Sequence, residues 1–534
     1  MKYLTNRICA RLILVLLLGS AASMSAADWP TWRGKAGDGV SESGQKLVED
    51  LAKAKLLWRS EADTPGSYTH RPHGGHSSPI VMDGRVYLYY PDPSGPVIAE
   101  DYFRKAMGSA KLKAMGDTFW RKQAAIAADD VIICMDADTG RTLWRQAFEG
   151  EAVNMGINAR GPGPSSKVGP YNMICGGDGR VYALGALGLV YAVDAETGEP
   201  LWRTPLPGYE ANKRKQEEAL QRGRPYPVGS RGINLQCVTY AGGTVVVPRG
   251  GTLYGLAGAN GEILWKIQKA GGERMGPIAW PAAAGARVLA PYRGGVVCVD
   301  AKAGKELWRQ AMTTADGKSL VSAIAAAGDF MITKGGAGPR GWRINDSGAV
   351  PAWKLDDKYR TGSGAVAPVI YRGHAYVQYG ASGGGGSQGL TKCRGILCVE
   401  LATGKIVSDC RFANDGKLIP ESLRGVVNVG RPLYSSMVAG DGILLIEGSA
   451  YGNGLVGFTT SPSDFRCIGA IDGATVGGEI GGFAFASCIT PALANGRLYV
   501  RGHPGMYCID LRAAAKSRSP QVNRDEDGRA AAKP

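Results

Sequence analysis

The 534-residue sequence has eleven cysteines, yet no two are adjacent and none falls in a C-x-x-C-H pattern. The first absence excludes a disulfide ring between neighbours, and the second excludes covalently attached haem of the usual type. Histidine is scarce, with five in the chain, three of them (His70, His73, His76) within HRPHGGH. A metal site needs three or four converging ligands with supporting contacts, and no acidic residue or cysteine stands close by, so a metal-free loop is expected there. No phosphate loop or zinc-protease signature occurs. Beyond the first 27 residues no stretch is long and apolar enough to cross a bilayer. The 62 basic residues outnumber the 47 acidic ones, a formal charge of +15, but no compact basic tract exists. Nucleic acid is therefore not an expected partner, whereas anionic polymers and acidic partners are compatible with the charge.

What the sequence does have is repetition. The stretch CMDADTGRTLW (Cys134 to Trp144) recurs as AVDAETGEPLW (Ala192 to Trp202), GLAGANGEILW (Gly255 to Trp265) and CVDAKAGKELW (Cys298 to Trp308). A weaker copy, CVELATGKIVS (Cys398 to Ser408), lacks the tryptophan. Each full copy opens on a small residue, carries a glycine six positions on, and closes on tryptophan. Alternating apolar residues before the turn predict a strand, and Asp, Thr and Gly supply hairpin chemistry. Such small antiparallel sheets cannot bury their faces alone, and stacking them radially gives a β-propeller.

The eleven-residue pattern resembles the tryptophan-docking motif of the pyrroloquinoline-quinone (PQQ) repeat family, which includes quinoprotein alcohol dehydrogenases and the propeller of the outer-membrane β-barrel assembly machinery. The resemblance implies an all-β propeller of four-stranded antiparallel blades over nearly the whole chain. It implies fold more than function, because one propeller hosts enzymes and scaffolds alike. The dehydrogenases carry an adjacent cysteine pair against the cofactor, and this chain has none.

Residues 1–27 read as a secretory signal: Lys2, Arg7 and Arg11, then the apolar Leu12 to Leu18, then Ser25-Ala26-Ala27. Cys9 precedes the apolar run and is not placed for lipid attachment. A periplasmic or secreted protein is expected, with the propeller over 28–512 and a tail from Ala513 to Pro534 too charged and too poor in hydrophobics to fold. DWPTWRG after Asp28 resembles the opening of many exported PQQ-repeat proteins, and its two tryptophans are expected to cover one end of the ring. Helical insertions are expected near 97–128 and 209–223. Successive units place Trp144, Trp202, Trp265, Trp308 and Trp353 as interblade contacts, followed by two units without tryptophan. LLWRS around Trp58 completes the last unit, MYCIDL, so the N-terminal strand closes the ring. The count is eight blades, or seven if the unit at Ile443–Ile446 is not a blade.

The small position shared by Cys134, Cys298, Cys398, Cys467 and Cys508 with Ala192 and Gly255 is read as a buried site selected for size. Cys393 and Cys410 could pair in an oxidising compartment. Asp136, Asp194 and Asp300 belong to turns rather than to acid–base chemistry. Six arginines, Arg71, Arg160, Arg231, Arg274, Arg360 and Arg431, precede the innermost strands of their units and, with Asn234, are the candidate ligand-binding residues of one channel mouth. No catalytic residue and no metal site is assigned. The expected function is non-catalytic binding or scaffolding in the cell envelope, as a monomer, with an envelope protein or an anionic glycan as partner. The alternative is a PQQ- and calcium-dependent dehydrogenase of an alcohol or sugar, for which Asn158, Asn234 and Glu447 are available as calcium ligands.

Overall fold

The computed structural model describes most of the chain from Asp28 to Ala513. Outside the described residues lie 1–27, 98–124, 153–156, 165–171, 224–235, 361–366, 381–394, 412–436, 448–454, 472–489 and 514–534, with shorter stretches at 63, 65–66, 69–70, 73–76, 159–160, 272–274, 282–284 and 503–504. The expected leader and all but Ala513 of the tail fall among them. Val97 and Ala125–Asp136 are strand, so the insertion expected at 97–128 is narrowed to 98–124, which also lies outside the described residues.

Eight four-stranded antiparallel blades form a β-propeller, blades one to seven running in sequence from an innermost to an outermost strand, and Gln236–Cys237 adds a short parallel strand beside the inner strand of blade two. Blade one is Ile80–Met82, Arg85–Val97, Ala125–Asp136 and Thr142–Ala152. Blades two to seven occupy 172–205, 239–268, 278–311, 323–354, 369–411 and 438–471. Blade eight takes three strands from 492–510, and Lys55–Arg59 supplies its outermost strand, with Trp58 opposite Cys508. The weak unit at Ile443–Glu447 is thus a full blade, and the count is eight. Among the described residues no helix is long and apolar enough to cross a membrane.

The turn of each repeat is built as its residues dictate. The Asp136 carboxylate accepts the backbone N–H groups of Asp138 and Thr139 and the Thr139 hydroxyl, and Asp194 and Asp300 accept the backbone N–H groups at the same places. The glycine six positions into the repeat has φ near +70° (Gly140 +71°, Gly304 +65°). Its missing side chain has a second use. A Cβ on Gly198 would stand 2.5 Å from the Trp144 ring, and one on Gly304 would stand 2.2 Å from Trp265. Trp58, Trp144, Trp202, Trp265 and Trp353 each lie in this way on the turn glycine of the next blade, whereas Gly348 in the turn that receives Trp308 has open space at its Cβ position. The Nε1 of each tryptophan donates to a carbonyl of the next blade: Trp144 to Ala195, Trp202 to Gly258, Trp265 to Ala301, Trp308 to Asn345, Trp353 to Leu401, and Trp58 of blade eight to Ala137 of blade one, all at 2.8–3.2 Å.

Two seams lack a tryptophan, and each is closed differently. Between blades six and seven, Phe465 reaches back onto Tyr376 with ring centroids 5.5 Å apart, and the Tyr376 hydroxyl donates to Thr460 O at 2.6 Å. Between blades seven and eight the filling comes from the N-terminal segment. Leu51 is fully buried over Gly457, where a Cβ would meet its Cδ1 at 2.5 Å, and Val48 N donates to Leu511 O at 2.8 Å. Gly457, opposite Gly469, is the small position of blade seven. Cys467 instead lies on the outer strand beside Phe458, so its assignment to the small position is corrected. Leu51→Ala is expected to destabilise the ring by about 2–4 kcal/mol through the cavity it leaves. Glu49→Ala, one turn away on the surface, is expected to change little. Urea unfolding midpoints of the two variants check this, and equal midpoints would show that Leu51 does not close the seam.

Candidate functional site

Residues 28–41 occupy the channel inside the ring. Trp29 pairs antiparallel with Val81 on the inner strand of blade one, and Val40 pairs parallel with Ala439 on the inner strand of blade seven. In between, Gly176 of blade two donates to Pro30 O at 2.8 Å, and Gly37 lies against Ile278 of blade four. Arg33 reaches Ile324 O of blade five at 3.1 Å and Pro368 O, just ahead of blade six, at 2.5 Å. Blades one and five face each other across an eight-membered ring, as do two and six, so the segment spans the lumen. Its direction reverses at the turn Thr31–Gly34, where Gly34 N donates to Thr31 O. The apex, Trp32–Arg33, stands at the end of the channel where the inner strands begin. Trp32 Nε1 donates to Thr490 Oγ1 at 2.8 Å, and Thr490 N donates to Ser78 Oγ at 2.8 Å, both just before an inner strand. Both tryptophans of DWPTWRG are buried, Trp29 beside the inner strand of blade one and Trp32 at the channel end where the inner strands begin.

Two guanidinium groups are buried at this floor. Arg33 is 1% exposed and its Nη atoms donate to three main-chain carbonyls, the third being Asp38 O at 2.7 Å. Arg501, on the second strand of blade eight, is 0% exposed and donates to Ser77 O at 3.2 Å. Burial lowers both to about 10, so both stay charged at neutral pH. Burial also pushes the Asp38 carboxyl up to about 6, against the N–H of Val40 and the charge of Arg33, which lower it.

Arg501 belongs to a pattern set by register. Counting from the first hairpin of each blade, the fifth residue of the second strand is Tyr89, Leu184, Pro248, Pro291, Lys334, Gln378, Glu447 and Arg501 in blades one to eight. Blades two to four place apolar residues there. Blades five, six and eight bury Lys334, Gln378 and Arg501, and blade seven carries Glu447 in sequence.

Of the arginines expected at the mouth, Arg160, Arg231, Arg274 and Arg431, with Asn234, lie outside the described residues. Arg71 pairs with Tyr68 in a two-residue ladder. Arg360 is exposed, after the turn Asp357–Tyr359, and its carbonyl accepts Gly380 N at 3.2 Å. In sequence, each of the six arginines precedes the inner strand of a blade. Sequence reasoning missed Arg33 and Arg501. The signal for Arg501 was a charged residue at a strand position that other blades fill with Leu or Pro. Cys410 is buried and its suggested partner Cys393 lies outside the described residues.

A family profile described as outer membrane protein assembly factor BamB matches residues 128–329 and 274–403, together about half of the chain. The chain belongs to the PQQ-like β-propeller family. A quinohemoprotein alcohol dehydrogenase from Comamonas testosteroni is 26% identical over 215 residues, 36% of this chain and 28% of the enzyme, so the match spans under a third of that relative. The solved structure of quinohemoprotein alcohol dehydrogenase from that organism overlays with a TM-score of 0.52 at 12% identity, covering 91% of this chain and 81% of the other, a likeness of fold. BamB from Moraxella catarrhalis overlays at 0.44 and 12% identity, over 72% of this chain and 93% of its own. Within this PQQ-like propeller, Arg33→Met leaves the carbonyls of Ile324, Pro368 and Asp38 without their donor and is expected to destabilise by about 3 kcal/mol. Arg33→Lys keeps the charge but not the fork and is expected to fall between. Denaturant titration of both checks it; a wild-type midpoint for Arg33→Met would mean that the plug is not held by this residue.

Proposed function

We propose that this propeller is an exported, non-catalytic binding protein of the cell envelope. Its ligand is anionic, an acidic glycan or an acidic segment of an envelope protein, and it enters the mouth above the N-terminal plug. The observation that carries the reading is the floor of that mouth. Arg33 and Arg501 are buried there, and Arg33 gives its donors to carbonyls rather than to a carboxylate. They touch no ligand themselves. Charge held in a poorly screening interior adds to the potential of the opening, and six arginines stand in the connections around it. Arg71, Arg160, Arg231, Arg274, Arg360 and Arg431, with Asn234, are the proposed contacts, since guanidinium groups pair with carboxylates and sulfates by two parallel hydrogen bonds.

A quinoprotein dehydrogenase is the second reading, favoured by the identity to the Comamonas testosteroni enzyme over 215 residues. PQQ and calcium would supply hydride acceptance and Lewis-acid assistance. Among the described residues no three of His, Cys, Asp and Glu are placed to hold a metal ion, and the side chains of Asn158, Asn234 and Glu447 lie outside them. Incubation with PQQ and Ca²⁺ is expected to give no stoichiometric uptake in the visible spectrum and no dye reduction with alcohols or sugars. Uptake with dye reduction would replace the binding reading with the enzyme. Arg231→Gln, Arg274→Gln and Arg431→Gln combined are expected to weaken binding to acidic polysaccharides at least tenfold at low salt, with a shallower salt dependence. Unchanged binding and salt slope in the triple variant would remove the arginines from the site.

A further inference from the structure

Asp130, on the third strand of blade one, is fully buried between blades one and two. Its Oδ1 accepts the Tyr89 hydroxyl of its own blade at 2.5 Å, and its Oδ2 accepts the Tyr191 hydroxyl of blade two at 2.9 Å. The turn Gly185–Gly188 of blade two presses on the same carboxyl; a Cβ on Gly185 would stand 2.1 Å from Oδ2. Phe148 of the outer strand stacks on Tyr191 with centroids 4.1 Å apart, closing the site. No cation bonds the carboxyl. The charged groups around it are Glu151 on the outer strand of blade one, which acts against its ionisation, and Arg501 of blade eight, whose charge interacts with Tyr89.

The helix Tyr209–Gln221 is fastened to this same corner. The Tyr209 hydroxyl donates to Glu151 Oε2 at 2.7 Å, and Lys213 Nζ stands 3.4 Å from Glu151 and donates to Gly150 O. Asn212 donates to Leu187 O, inside the turn that lies on Asp130, and Gln216, buried, donates to Ala152 O. Helix, turn and two blades thus meet around one carboxyl that has phenols but no counter-ion. Burying an uncompensated carboxylate is expensive, whereas the protonated acid fits the same site with its hydrogen bonds kept.

We propose that Asp130 is a proton-operated latch: protonated, it holds the helix and the blade-two turn against blade one, and ionised, it loosens them. Residues 224–235, which carry Arg231 and Asn234, follow the helix in sequence, and the proposal itself does not rest on the mouth binding any ligand. Burial pushes Asp130 up to about 7, against the two phenols, which lower it. The sign follows from linkage. With the folded value above the ordinary 3.8, the latch is fully closed at low pH and its contribution is lost as pH rises towards 7.

Hydrogen exchange of the full chain, read as the protection factor of 209–221 relative to the strand peptide 189–194 of blade two, tests this between pH 5.5 and 8.0. In the wild type the ratio is expected to fall at least tenfold, and in Asp130→Asn it is expected to stay flat. In Tyr191→Phe, where the ionised form has lost a donor, the folded value rises and the fall is expected to extend to higher pH. A flat wild-type ratio, or an equal fall in Asp130→Asn, overturns the latch. Because the readout is free of ligand, its failure is distinct from a failure of the binding proposal.

Discussion

A bulky side chain laid across the turn of the neighbouring blade is what makes one ring of eight separate sheets. Each blade is a four-stranded sheet whose two faces have no cover of their own, so stability lies in the seams. At six seams a tryptophan covers the gap and its Nε1 satisfies a carbonyl that the turn leaves pointing outward. At five of these seams the turn glycine is fixed twice over, by a positive φ and by the ring lying on it, and any side chain would strain one and clash with the other. Closing the last seams brings together the first and last described segments of the chain. That contact spans the largest sequence separation in the ring and carries the largest loop-closure entropy.

The repeat made most of this visible in advance. Blades one to four could be placed from the spacing of small residue, glycine and tryptophan, because that spacing is itself the seam. The closure by Trp58 was also readable, since an orphan tryptophan half-motif at one end matched an orphan first half at the other. The seams of blades six and seven were not. Phe465 and Leu51 do the work of tryptophan from positions outside the repeat frame, and the cysteine at 467 imitated a small position that Gly457 holds. A pattern read along the chain cannot register a substitute delivered from elsewhere. The plug was hidden for the same reason: Arg33 meets carbonyls 291 and 335 residues away, with nothing near it in sequence to announce them.

One stretch therefore serves both closure and the candidate site. Residues 28–41 fill the lumen, 45–54 close the seam between blades seven and eight, and Lys55–Arg59 completes blade eight. Burying the charge of Arg33 carries a desolvation penalty, offset in part by three carbonyls whose own hydrogen-bonding needs it meets. A Met or Leu in that place would fill the lumen but leave those carbonyls without a donor, so filling alone does not account for a guanidinium. Its hydrogen bonds and its charge are what an apolar residue could not supply.

Departures from ring symmetry are the most informative feature for function. A propeller that only needed to stand would repeat its apolar choice at every equivalent position, as Leu184, Pro248 and Pro291 do. At that same position blades five, six and eight bury Lys334, Gln378 and Arg501. The only described α-helix and a carboxyl without a counter-ion gather at blades one and two. Buried polar groups are costly wherever they occur, and here they lie around the level at which the inner strands begin. The backbone repeats around the ring while its expensive side chains crowd towards one end of the channel, the end at which the proposed ligand would enter.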